Sequence, residues 1–115
     1  MFNVKATATA LLLAFPAFAQ DVATDDAITA AISGNTVQGS MVSSGVYSEF
    51  YGADGVIKAK DYSGKWTIDA DKMCFDYSEG VTCYGVRIAG DQVTWVGEKG
   101  DEGTGTIVAG NANGF

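Results

Sequence analysis

The chain has 115 residues, with seven Lys and Arg against fourteen Asp and Glu, a formal charge of −7 and no histidine. Such acidity repels phosphate backbones and anionic lipid headgroups, which argues against nucleic-acid and peripheral membrane binding and leaves cationic partners and metal ions open. The missing imidazole excludes Ser-His and Cys-His nucleophile activation, His-ligated zinc and the usual near-neutral proton shuttle.

Residues 1–19, MFNVKATATALLLAFPAFA, read as an export signal. Lys5 supplies the positive start, Ala6 to Phe15 the apolar core, and Ala17-Phe18-Ala19 the small-x-small site before Gln20. A membrane span needs about 20 predominantly apolar residues, and Pro16 interrupts this run well short of that. Gln20 rather than Cys follows the cut, so acyl anchoring lacks its acceptor thiol. The expectation is an exported, most simply periplasmic, protein with secretion as the alternative. It has no membrane insertion after cleavage, a tether over residues 20–26 and one domain over 27–115, enough for a single small core.

Thr24 or Asp25 caps a short helix from about Asp26 to Ser33, with Ile28 and Ile32 on one face and Gly34 as its stop. From Thr36 the texture changes to alternating apolar and polar residues broken every few residues by Gly or Asp, the pattern of a β meander. Strands are expected near 36–41, 45–52, 56–61, 64–69, 72–77, 81–89, 92–97 and 103–108. A turn at Asp54-Gly55 sets Phe50 opposite Ala59 and Glu49 opposite Lys60. Turns at Ala70-Asp71, Ser78-Glu79 and Gly90-Asp91 give one inner face of Trp66, Ile68, Met73, Phe75, Tyr84, Val86, Ile88, Val93 and Trp95. The fold class is therefore all-β, a small antiparallel up-and-down barrel of about eight strands with a short N-terminal helix over one mouth. A β-sandwich satisfies the same periodicity, but closure removes exposed edges.

That register places Cys74 opposite Cys83 at a non-hydrogen-bonded pair on the outer face, close enough for a disulfide. Closing so short a loop stabilises by roughly 2–3 kcal/mol in the chain-entropy model. A three-residue loop with Gly80 left-handed would separate the sulfurs, and the even register is preferred because it also serves the apolar face.

Three surfaces are candidates for function. Tyr47 and Tyr51 are expected on the outer face beside Lys58 and Lys60, a patch that serves either partner contact or ordinary cross-strand pairing. Trp66, Met73, Phe75, Tyr84 and Trp95 line a ligand site or simply form core. Nine large inward residues should fill so small a barrel, which favours core. Glu98, Asp101 and Glu102 lie in a connection expected from Gly97 to Gly103, where solvated turn charge is preferred over a weak calcium site because the spacing fits no EF-hand. No catalytic constellation, resident metal or cofactor is expected.

Gly64-Lys65-Trp66 resembles the Gly-x-Trp of lipocalin-type barrels, in which the Trp closes one barrel end. The stretches GKWTIDADKMCFDY, TCYGVRIAGDQVTWV and GTGTIVAGN, with the preceding Gly-Asn-Thr-Val, resemble a group of small exported alphaproteobacterial proteins of uncharacterised function. The resemblance implies a lipocalin-like β fold and a periplasmic address, and transfers no catalytic residues. Other small disulfide-bearing barrels include periplasmic protease and lysozyme inhibitors, whose motifs are not found here.

The leading expectation is a non-enzymatic module that binds a protein or envelope component through its exterior. The alternative is a carrier of a small apolar ligand with Trp66 and Trp95 at the site. An enzyme using Asp101 or Glu102 is the third reading.

Overall fold

Alternation closes the chain on itself. The computed structural model describes residues 21–115, so the export signal expected over residues 1–19 lies outside the described residues. Among the described residues no helix is long and apolar enough to cross a membrane. The helix α1 (Asp25–Ile32) precedes β1 (Asn35–Met41), β2 (Gly45–Tyr51), β3 (Val56–Lys58), β4 (Ser63–Asp69), β5 (Lys72–Asp76), β6 (Val81–Ala89), β7 (Gln92–Gly97) and β8 (Gly100–Val108). Each strand pairs antiparallel with the next and β8 returns to β1, forming a closed eight-stranded barrel. The up-and-down barrel expected from the alternation is therefore the fold.

Thr24 is the helix N-cap, its hydroxyl accepting from the Ala27 amide, and Asp25 and Asp26 form the acidic first turn. The helix thus begins one residue before its expected start at Asp26, within the stretch expected as a tether. What precedes them is also pinned, since the Ala23 amide donates to the Val86 carbonyl. Ile28 and Ile32 are fully buried and join the barrel core. Asp25 and Asp71 exchange reciprocal bonds, each backbone N–H donating to the other's side chain, which fastens the helix to the β4–β5 turn. One end of the barrel is thus plugged.

The three hairpins from β4 to β7 have the expected registers: Trp66 faces Phe75, Met73 faces Tyr84 and Val86 faces Trp95. All nine expected inner residues belong to the core or pack on it. Cys74 and Cys83 are partners and form the disulfide, with a Cα–Cα distance of 4.0 Å, the short spacing of a non-hydrogen-bonded pair.

The first hairpin differs. Phe50 pairs with Lys58, not Ala59, because the loop has three residues, Ala53-Asp54-Gly55, rather than two. The Gly52 amide donates to the Val56 carbonyl, the Asp54 carboxylate accepts from the Val56 amide, and Gly55 takes φ +86°, the left-handed position such loops require. A one-residue slip exchanges the faces of a strand. Tyr47, Glu49 and Tyr51 therefore turn inward and Phe50 outward, while Lys58 and Lys60 stay exposed. β3 is also shorter than expected and ends before Lys60.

The acidic connection is not a long loop. Gly97 already pairs with Gly100, leaving Glu98-Lys99 as a tight turn, and a bulge between Trp95 and Val96 absorbs one extra residue on β8. Asp101 lies on the outer surface in an ion pair with Arg87 at 3.3 Å. Among the described residues no group of three acidic or sulfur side chains is placed to hold a metal ion. The Gly-rich end completes the barrel as β8, and residues beyond it are tied down where the Thr36 hydroxyl donates to the Gly110 carbonyl and accepts from the Ala112 amide.

Candidate functional site: an aromatic mouth around Glu49

With α1 over one end, the opposite end carries the β1–β2, β3–β4, β5–β6 and β7–β8 turns and remains open. A cavity of about 580 Å³ enters there. Tyr47, Glu49 and Tyr51 of β2 form one wall, and Phe75, Tyr84 and Trp95 of β5, β6 and β7 form the facing one. Tyr62 and Tyr77 stand at the rim with Met41, Val46, Glu79 and Thr82. The expectation that inward side chains fill the interior therefore holds toward the helix and fails toward the open end.

Glu49 is 6% exposed, and both its oxygens accept from phenols. The Tyr51 hydroxyl donates to Oε1 at 2.6 Å and the Tyr62 hydroxyl to Oε2 at 2.5 Å. The Tyr77 hydroxyl lies 2.8 and 2.9 Å from the two oxygens. Acceptance at both oxygens is the pattern of a carboxylate, and lengths near 2.6 Å are those of charge-assisted bonds. Three donors offset part of the cost of burying a charge; an ion pair would offset more. None reaches Glu49: the ion pair among the described residues is that of Arg87 and Asp101, on the outer surface.

The tyrosines answer to this group. Burial first, then the adjacent Glu49 carboxylate, holds the Tyr51 hydroxyl well above the ordinary tyrosine range. The same two causes, in that order, raise Tyr62 and Tyr77. The rim rings keep an outer side in solvent, Tyr62 at 48% and Tyr77 at 36% exposure, while their hydroxyls turn in to the carboxylate. Tyr62 packs edge-on to Tyr77 with centroids 5.8 Å apart, and Phe75 meets Trp95 edge-on at 5.3 Å.

Two residues before Glu49 on β2, the Tyr47 hydroxyl accepts from the Trp95 indole N–H at 2.8 Å and donates to the Thr104 carbonyl at 3.0 Å. Gly105 makes room for it, because a Cβ there would collide with the Tyr47 hydroxyl and lie 2.5 Å from Val37 Cγ1.

The proposed exterior patch is not assembled. Tyr51 is 1% exposed and Tyr47 half-buried, both inside the barrel, whereas Lys58 and Lys60 are outside it. The five candidates for ligand lining divide. Phe75, Tyr84 and Trp95 line the cavity. Met73 is fully buried core, and Trp66 lies toward the plugged end, its indole donating to the Gly52 carbonyl at 2.9 Å. Glu49, Tyr62 and Tyr77 were missed as site residues. The available signal was the loop length after Tyr51, since the three-residue reading of Ala53-Asp54-Gly55 alone turns Glu49 inward.

Comparison with protein-family models, with curated proteins and with solved structures gives no match.

Proposed function

We propose that this is a non-enzymatic exported binding protein that takes a small ligand into the open end of its barrel. The observation that carries the reading is the asymmetry of the two ends: α1 plugs one, and the other opens on a cavity of about 580 Å³ lined by aromatic rings and a buried carboxylate. That volume lies within the usual range of small-molecule sites, and the lining is amphipathic, combining aromatic rings with phenol and alcohol hydroxyls and the carboxylates of Glu49 and Glu79. A periplasmic address is supported by the leader-like N-terminus and the disulfide, and a lipocalin-like relationship by the resemblance of Gly64-Lys65-Trp66. The non-enzymatic character is supported by the absence of histidine and by the three phenols that already engage Glu49.

A second reading, capture of a protein or envelope component, is favoured by one observation. Val42, Val46 and Val81, beside the open end, are 80%, 89% and 63% exposed. Apolar side chains beside an entrance suit a docking rim as well as a portal.

Native mass spectrometry of the protein recovered from its envelope fraction separates these readings. A bound small molecule, lost in a Thr82→Trp variant that fills the mouth, is the expected result. A second protein bound equally to both variants would support the rim instead. A ligand retained by the filled variant would remove the mouth from consideration.

A further inference from the structure

The charge balance of the cavity says what kind of ligand it suits. Glu49 is buried, Glu79 adds a second acidic group at the rim, and among the described residues no Lys or Arg pairs with Glu49 or lines the cavity. An anionic ligand would meet repulsion on entry. A neutral one would leave the buried carboxylate as it stands, compensated by hydroxyl dipoles alone. A cation would supply the missing counter-charge in a water-poor setting, where Coulomb attraction is stronger than in bulk solvent.

The hydrogen bonds narrow the class further. Glu49 already receives Tyr51, Tyr62 and Tyr77, so a primary ammonium, with three N–H donors to satisfy, would have to displace phenols from it. An alkylated ammonium has no such demand. It is stabilised by proximity to the carboxylate and by contact with aromatic rings, which are present on both walls and at the rim.

We infer that the mouth of the barrel receives an alkylated ammonium, such as a trimethylammonium group, seated among the aromatic rings with Glu49 as its counter-ion. This rests on the reading of the mouth as a ligand site. The group is available as a free solute or as the headgroup of a zwitterionic lipid, and both sources present the same chemistry to the cavity.

Calorimetry with choline, with its neutral tert-butyl analogue in which carbon replaces nitrogen, and with ethanolamine tests the inference on the wild-type protein. Choline should bind at least roughly tenfold more tightly than either comparator, with an affinity that falls as salt rises. Glu49→Gln keeps the shape and an acceptor oxygen, and should abolish the preference for choline while retaining the neutral analogue. Should that variant fail to fold, judged by its near-ultraviolet circular dichroism, the wild-type ratio of choline to its analogue decides. Sedimentation with phosphatidylcholine vesicles, competed by choline, identifies the lipid headgroup as the source; binding of choline without sedimentation identifies the free solute. Equal affinity for choline and the neutral analogue, or a preference for ethanolamine, would overturn the ammonium and leave the mouth as a site. Binding of none of the three would overturn both.

Discussion

Ala70 and Asp71 carry φ of +53° and +58° at the β4–β5 turn, the two left-handed positions of a type I′ hairpin. Asp tolerates that region, whereas Ala carries a steric cost of roughly 1–2 kcal/mol there. Ala70→Asn should therefore raise stability by about 1 kcal/mol, read as a higher urea midpoint at unchanged slope. Gly105 poses the opposite case. Gly105→Ala drives a methyl into the Tyr47 hydroxyl and Val37, and should cost about 1–3 kcal/mol while breaking the Trp95–Tyr47 bond. The turn at Ala70-Asp71 was legible because the apolar residues on either side agree with only one register. Glu49 was not, because nothing in Glu49 itself signals burial: its face is decided by one residue of loop length at Ala53, four positions away.

Among the elements, the helix, the disulfide and most of the last strand were readable, and the first residues of that strand were not. Thr24, the Ile28–Ile32 spacing and Gly34 mark α1 locally, and its docking follows from its apolar face. Ile28→Ala should lose about 2–5 kcal/mol, as truncation of a fully buried residue does, with a thermal melt as the check. A cost near zero would mean that the helix does not seal the barrel. Reduction of the Cys74–Cys83 bond should cost roughly 2–3 kcal/mol without loss of the fold, because the pair lies on the outer face of a ladder that the barrel core already holds, outside that core. The start of β8 escaped the pattern because Asp101 and Glu102 read as loop. The bulge opposite Trp95 and Val96 breaks strict alternation at that point, and the outward charge of Asp101 is matched by Arg87, remote in sequence.

At the scale of the whole molecule, the barrel places several tyrosine hydroxyls around one carboxylate, and this couples its stability to alkaline pH. Tyr51, Tyr62 and Tyr77 all have folded values above the ordinary value of 10.0. The folded state thus keeps protons that the unfolded chain releases. Their contribution is complete below pH 10 and declines as pH rises through and beyond it. Tyrosinate absorbance should consequently appear together with unfolding above pH 10, not before it. Free titration of all five tyrosines in the folded protein would contradict the phenol cluster.

The open end itself is tested most directly by the two indole signals in a proton–nitrogen correlation spectrum. Trp95 lines the cavity through its bond to Tyr47, whereas Trp66 is held at the other end by the Gly52 carbonyl, so one reports the mouth and the other serves as an internal control. Addition of choline should move the Trp95 signal saturably and leave that of Trp66 in place. A stationary Trp95 signal, or an equal shift of both, would contradict the seating of an ammonium ligand at the mouth of the barrel.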